Sequence, residues 1–331
     1  MIFPNGKIRF QYRRDSVDEK IGRRNFFKKS ARLGLAAAIG YGYFSCSGSE
    51  EVGSSAAKDV DLAVATGNDY FATTAKAVDG LGGMGKFVTK DARVAILPNS
   101  QSRHPGTFTK PEVIRAVVEM CRKAGAAEVN CLTWLEPKYW EASGLDVAVR
   151  EAGARLQFVE IEEANFKTVP VQGWKVREEV MIMKDLYNND VLIDMPITKD
   201  HAGNKFTGTM KNLMALNYRP NNRLFHKEDW TTNPQSIQFL DQCIVDLNKA
   251  VKPTLCIVDA TEFITTNGPF GPGELAKPQK IIAGVDRVAI DAYCTTLRGM
   301  TGEDIHAIRL GFEQGLGEID LEKVEIREIS A

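Results

Sequence analysis

From about residue 60 onward, short apolar runs alternate with longer amphipathic segments, and this alternation constrains the fold more than any other feature of the chain. ARVAILP, AEVNCLTW, RLQFVEIE, DVLIDMP, PTLCIVDA, QKIIAG and VEIREI have the length and composition of strands. Between them, NDYFATTAKAVDGL, KPEVIRAVVEMCRKAG, LDVAVREAG, PQSIQFLDQCIVDLNKA, VDRVAIDAYCTTLRG and GEDIHAIRLGFEQGLG carry helical periodicity, and MKNLMAL reads as a shorter helix. Pro111 in the first turn and Gly125 at the end of the second helix are start and stop signals. This βαβα rhythm predicts an α/β fold, a mostly parallel sheet with helices on both faces, built as one domain or as two closely joined lobes. Such sheets place ligands beyond the carboxyl ends of their strands. With 331 residues the chain can bury a large core, and its balance of 42 basic against 43 acidic side chains argues against nucleic acid or an anionic membrane surface as main partner.

The N-terminal stretch GRRNFFKKSARLGLAAAIGYGYFSCSG has a different character. Arg23 and Arg24 precede Phe26, Phe27 and Lys28, and a mild apolar run follows from Leu33 to Phe44. That order resembles a twin-arginine export signal, and the run is too short and too rich in Gly and Ala to span a bilayer, which takes roughly 20 apolar residues. The expected organisation is a signal over residues 1–46, a flexible tether over 47–64 and an α/β domain over 65–331. Cys46 ends the apolar run, so both simple cleavage and lipid anchoring through Cys46 fit. The implied partner is the twin-arginine export machinery, and the implied location is the periplasm or another space outside the cytoplasmic membrane. The membrane is contacted only through signal or anchor. Five further cysteines, Cys121, Cys131, Cys243, Cys256 and Cys294, lie in apolar context without CxxC spacing. They read as buried thiols rather than a disulfide framework or an iron–sulfur ligand set.

Gly80, Gly82 and Gly85 satisfy GxGxxG, but a helix precedes them where a dinucleotide site needs a strand, so they read as a helix stop and turn. The stretch KDHAGNKFTGTMKN, residues 199–212, is more telling. Lys199 and His201 follow a strand at alternating positions and can project the same way. Thr207, Gly208 and Thr209 permit close backbone approach and offer hydroxyls to an anion, while Lys211 and Asn212 open a helix whose free N–H groups add positive potential. His226 follows in a loop after PNNR. Beyond other strand ends stand Asn99 in LPNS, and Asp259 with Asn267 before a Gly/Pro-rich loop. Asp286 reads as a helix N-cap, and Asp291 as a buried acid that needs a partner such as Lys211 or a backbone amide. His201, Lys211 and Lys199 are therefore the catalytic candidates. Asn99, Thr207, Gly208, Thr209, Lys211, Asn212, Asp259, Asn267 and Asp291 are the cofactor-binding candidates, and His201 and His226 the metal-binding candidates.

LPNS, KDH…TGTMKN, VDATEFITTNGPFGPG and GVDRVAIDAY together resemble the bacterial family called domain of unknown function 362, over nearly all of residues 65–320. Its members are often exported or fused to ferredoxin-like modules; this chain lacks such a module, and Leu97 stands where the family commonly has a lysine. A second resemblance, to the nickel-dependent lactate racemase family, rests on the order and separation of His201, Lys211 and His226. It implies acid/base work for His201, attachment of a nickel-pincer nucleotide to Lys211 and nickel binding by His226; in this chain TGTMKN replaces a more glycine-rich turn. The cofactor stays open between such a nucleotide and a divalent nickel or zinc ion held by imidazoles. Three functions remain in view: an enzyme racemising or oxidising a small 2-hydroxy acid, a periplasmic anion-binding protein, and a redox partner of a separate iron–sulfur protein.

Overall fold

The computed structural model describes residues 60–331, so the expected export signal, Cys46 and most of the tether lie outside the described residues. The tether was expected to reach residue 64, but Leu62–Thr66 is strand β1. Its Leu62, Ala63, Val64 and Ala65 are fully buried because β1 sits between two other strands and is covered on both faces.

The remaining elements follow the alternation closely. Helix α1 (Tyr70–Gly80) leads to β2 (Arg93–Pro98), α2 (Pro111–Lys123), β3 (Glu128–Thr133), α3 (Pro137–Ser143), α4 (Leu145–Glu151) and β4 (Arg155–Phe158). A separate antiparallel ribbon, β5 (Phe166–Pro170) with β6 (Glu179–Met183), comes next and was not foreseen. Then follow β7 (Val191–Met195), α5 (Thr209–Asn212), α6 (Arg219–His226), α7 (Pro234–Ala250) and β8 (Leu255–Ala260). A two-residue pairing of β9 (Phe263–Ile264) with β10 (Leu275–Ala276) precedes β11 (Lys280–Gly284), α8 (Arg287–Thr296), α9 (His306–Glu313) and β12 (Ile326–Ser330). Gly80 ends α1 and Gly82 adopts a left-handed φ of 103°, so the GxGxxG stretch is a helix stop, as its position after a helix requires.

Eight strands form one sheet in the order β12-β1-β11-β8-β7-β2-β3-β4. All neighbours are parallel except around β11, which runs antiparallel to both β1 and β8. Between β8 and β11 the chain has only the Gly/Pro-rich loop and the β9–β10 pairing. Without a crossover helix it can return only antiparallel to the strand it has left. Successive residues of a strand feed opposite faces: Leu62 and Val64 join one apolar cluster with α7, α8 and the β5–β6 ribbon, whereas Ala63 and Ala65 join another with α1, α2 and α4. The five cysteines are buried free thiols in these clusters, and burial pushes the Cys121 thiol up to about 12.

One junction orders the face that carries α5. A helix of four residues cannot hold itself together, and here Asp291 of α8 does so. Its Oδ1 accepts from Thr209 N at 2.6 Å and Thr209 Oγ1 at 2.9 Å, and its Oδ2 from Met210 N at 3.0 Å. Gly208 lies in extended backbone that any residue could adopt, but a Cβ there would collide with the Asp291 carboxylate. Asp291→Ala would strand two buried N–H groups, and is expected to cost about 2–4 kcal/mol. Gly208→Ala should destabilise in the same direction. Urea unfolding monitored by circular dichroism checks both, and unchanged midpoints would show that α5 does not depend on this contact.

Candidate functional site

Beyond β7 the chain does not run straight into a helix. Lys199 N donates to Thr207 O at 3.2 Å and Thr207 N to Lys199 O at 3.0 Å, which closes the intervening residues into a loop. Asp200 ties that loop down, accepting from Gly268 N at 2.9 Å and pairing with Arg298 at 2.7 Å. The side chains of Lys199, His201 and Thr207 are thereby turned to one side, into a cavity of about 380 Å³. Its walls come from the carboxyl ends of β2 and β3, the segment after β7, the α5 region, α6, and Pro269 with Phe270 of the Gly/Pro-rich loop. This is where a parallel sheet leaves strand ends and loop backbone free to meet a ligand.

The cavity is one-sided in charge. Lys199, Lys211, Arg219, Arg223 and Lys227 line it together with His201 and His226, and no Asp or Glu is among the described residues that do. Trp134, Trp230 and Phe270 supply aromatic walls. The Arg219 guanidinium sits 5.8 Å from the Trp134 ring, and both imidazoles pack on Trp230, with ring centroids 5.1 Å away for His201 and 5.0 Å for His226.

Burial holds four of these basic groups, Lys199, Lys211, His201 and His226, below their ordinary pKa. Lys199 is only 1% exposed; its Nζ donates to Asn99 Oδ1 at 3.1 Å and Thr107 O at 2.6 Å, and desolvation together with nearby Lys211 brings its pKa down to about 7. Lys211 is brought down to about 8, mainly by desolvation, against the opposing pull of Asp241. His201 is held well below its usual range, and His226 at about 4, in each case by desolvation first and Lys211 second. Each Nδ1 meets a backbone carbonyl, Ala202 O at 2.6 Å for His201 and Asn222 O at 2.7 Å for His226. A carbonyl only accepts, so Nδ1 carries the proton and Nε2 is left as a bare nitrogen.

A chain of amides fixes Lys199 from behind. Asn212 Nδ2 donates to Leu97 O at 2.9 Å and Asp194 Oδ1 at 2.7 Å, which leaves its Oδ1 to accept from Asn99 Nδ2 at 3.1 Å. Asn99 Oδ1 must then face Lys199. Lys211 is held more loosely, by Asn204 Oδ1 at 3.4 Å and Met214 Sδ at 3.9 Å.

Of the residues singled out in the sequence, His201, His226, Lys199, Lys211, Asn99, Thr207 and Asn212 meet at the cavity. His226 does so from the last turn of α6 rather than from a loop, because Pro220 sits in a first helical turn and the helix continues through PNNR. Five other candidates are otherwise engaged. The hydroxyl and N–H of Thr209 and the space above Gly208 belong to Asp291, so the expected anion cradle at the start of α5 is filled by the protein's own carboxylate. Asp291 finds backbone amides and a hydroxyl, not Lys211. Asp259 accepts from Lys110 N at 2.8 Å and from Thr261, joining β8 to the start of α2. Asn267 is exposed in the Gly/Pro-rich loop, where its Nδ2 donates to Pro272 O at 3.1 Å, and it lies outside the cavity lining.

Arg219, Arg223, Lys227, Trp134 and Trp230 were missed. The signal was present as the i, i+4, i+8 spacing of Arg219, Arg223 and Lys227, which taking PNNR for a loop conceals. Thr207 Oγ1 is buried without a hydrogen-bond partner. Among the described residues no group of three His, Cys, Asp or Glu side chains converges to hold a metal ion. A metal held by side chains of the described residues alone does not fit. A metal whose other donors come from an organic cofactor does, with two bare Nε2 atoms and the Lys211 amine available to it.

The family model described as "Domain of unknown function (DUF362)" matches residues 94–296. The chain belongs to this family. The DUF362 region runs from β2 through the end of α8 and so contains every residue that lines the cavity. A curated relative is the "Thylakoid-associated protein sll1697" of Synechocystis sp. (strain ATCC 27184 / PCC 6803 / Kazusa), 26% identical over 262 residues, which span 75% of this chain and 77% of that protein. Among solved structures, the lactate racemase apoprotein from Thermoanaerobacterium thermosaccharolyticum aligns with a TM-score of 0.44 at 12% identity. That alignment covers 77% of this chain and 57% of the apoprotein.

The two desolvated amines of this DUF362 chain make a prediction about pH. Lys199 and Lys211 release their protons near 7 and 8 in the folded chain but only near 10.5 when unfolded. Between those values the unfolded state binds more protons, so these groups make stability rise with pH from about 7 to about 10. Urea midpoints at pH 7 and pH 9.5 should show that rise, and Lys199→Met should flatten it. An equal rise in the variant would place the titration elsewhere.

Proposed function

We propose that this protein is an exported enzyme that binds a small anionic substrate of the 2-hydroxy acid kind and moves a proton at the carbon next to its carboxylate. The observation that carries the reading is the cavity itself: four cationic side chains, a lysine poised near neutrality, two neutral imidazoles and, among the described residues, no carboxylate, at the carboxyl ends of a parallel sheet. A carboxylate entering it would meet Arg219 and Arg223, whose planar guanidinium groups suit bidentate pairing. It would not compete with a resident acid.

The proton transfer falls to groups that are unprotonated near neutral pH. His201 Nε2 is the first candidate base, since its Nδ1–H is committed to Ala202 O and its pKa lies below its usual range. Lys199, poised near 7, is the second, with two of its hydrogens directed at Asn99 and Thr107 and its remaining valence free. Two bases on one substrate are what racemisation requires, one taking the proton and one returning it. An organic cofactor of the kind implied by the racemase resemblance would rest on Lys211 and on the Nε2 atom of His226, leaving His201 Nε2 as the base, and would supply a sink for the electron pair left on the α-carbon. The Arg23–Arg24 signal is part of the same reading, because the twin-arginine route carries folded proteins and suits a chain that receives a cofactor before export. Thylakoid association in a relative's name agrees with a destination outside the cytoplasm.

Titration calorimetry of the full chain with lactate at pH 7.5 tests the binding, and proton NMR of lactate in D₂O tests the chemistry through loss of its α-proton signal. Saturable binding is expected, weakened at least about tenfold in the double variant Arg219→Gln/Arg223→Gln, the effect of losing about 1.4 kcal/mol or more. Exchange should be lost in His201→Ala. Absence of binding to lactate and to other small carboxylates would overturn the proposal, and saturable binding without exchange would leave an anion-binding protein in place of an enzyme.

A further inference from the structure

We infer that Lys211 is a carbonyl-reactive amine, so that the cavity takes a 2-oxo acid and holds it as an imine on Nζ. This rests on the anion-binding reading above and narrows it to a substrate class. The two cavity lysines differ in what surrounds their nitrogen. Lys199 Nζ is nearly sealed from solvent and engaged by two oxygens at 3.1 and 2.6 Å, which leaves a lone pair for a proton but little room for a bond to carbon. Lys211 is only partly buried, and its Nζ has one amide oxygen at 3.4 Å and a thioether sulfur at 3.9 Å, both too weak or too distant to hold an ammonium well.

The neighbourhood keeps that amine from finding a counter-ion. Asp241 is the nearest acid in its electrostatics, yet Asn204 stands between them: Asn204 Nδ2 donates to Asp241 Oδ1, and only the neutral Oδ1 of Asn204 is turned to Lys211. The other oxygen of Asp241 is taken by His306 Nδ1 at 3.1 Å. An amine near other cations, without an ion-pair partner and partly desolvated, is a nucleophile at moderate pH. The groups that an imine would need line the same cavity. Arg219 and Arg223 offer a seat for the carboxylate of a 2-oxo acid, and Thr207 Oγ1 is buried without a partner where it can hydrogen-bond to a hydroxyl. The bare Nε2 atoms of His201 and His226 can carry a proton between steps.

The chemistry balances without a further reagent. Nζ adds to the ketone carbon, the carbonyl oxygen takes up a proton as the amine loses one, and the resulting carbinolamine expels water to give the C=N bond. Hydrolysis reverses it. A 2-oxo acid is the two-electron oxidised counterpart of a 2-hydroxy acid, so the ligand class is continuous with the anion the cavity accommodates.

Reductive trapping tests this on the full chain. Pyruvate and sodium cyanoborohydride are added at pH 7.5, the protein is digested, and lysine adducts are mapped by mass spectrometry. The expected result is a dominant adduct on Lys211, diminished by excess lactate and absent from Lys211→Arg, which keeps the charge but cannot form an imine. Labelling spread over surface lysines without enrichment at Lys211, or dominant labelling of Lys199, overturns the inference. The map of the unsubstituted chain decides the matter even if the variant folds poorly. Calorimetry with pyruvate separates the two proposals: binding without a Lys211 adduct removes the imine alone, whereas no binding of pyruvate or lactate removes the anion reading with it.

Discussion

The Asp291 carboxylate bound to the start of α5 is the contact on which the site depends. Four residues of helix carry Lys211 and Asn212, and without Asp291 their first N–H groups would be buried and unmatched. The contact has a cost of its own, since burial pushes the Asp291 carboxyl up to about 6 despite the three hydrogen bonds that hold it down. It also claims the positive end of the helix. A reader of TGTMKN alone would give those N–H groups to a ligand; the fold gives them to α8.

With α5 in place, Asn212 becomes the hinge between scaffold and cavity. It joins β2 through Leu97 O, β7 through Asp194 and the loop after β2 through Asn99, and the direction of each amide follows from the one before it. At the end of that chain stands Lys199, an amine taken out of water and met only by neutral oxygens. The cavity then gathers further cations and, among the described residues, no acid, so charge repulsion and desolvation act in the same direction on Lys199, His201 and His226. Such a set is unfavourable to leave empty of anions and favourable to fill with one, which is the physical link between the fold and the function proposed for it.

Much of the scaffold was legible because its signals are local. Period-two and period-3.6 apolar patterns need only neighbouring residues, and Asp286 caps α8 two and three residues on, as its position before an apolar helix predicts. His201, Lys199 and Lys211 were legible for a related reason: reactive side chains clustered in a polar stretch just beyond a strand end. Asp259 and Thr209 had the same outward signal and proved structural. Their partners, Lys110 and Asp291, are 149 and 82 residues away along the chain, and no local pattern points to them. The antiparallel course of β11 and the β5–β6 ribbon were hidden likewise, since strand direction is set by the connection and not by the strand.

By itself, then, the sequence determined that this chain builds a helix-covered sheet and that a lysine- and histidine-rich turn follows one of its central strands, because both are written in spacing and composition. Tertiary structure alone decided which of those polar groups face the cavity. The row of Arg219, Arg223 and Lys227 reaches the cavity only because α6 packs on α7 and lines it opposite the ends of β2 and β3, and Thr209 is withdrawn only because α8 brings Asp291 to it. A polar side chain serves whichever buried partner the fold sets beside it, and that partner lies far away in the chain.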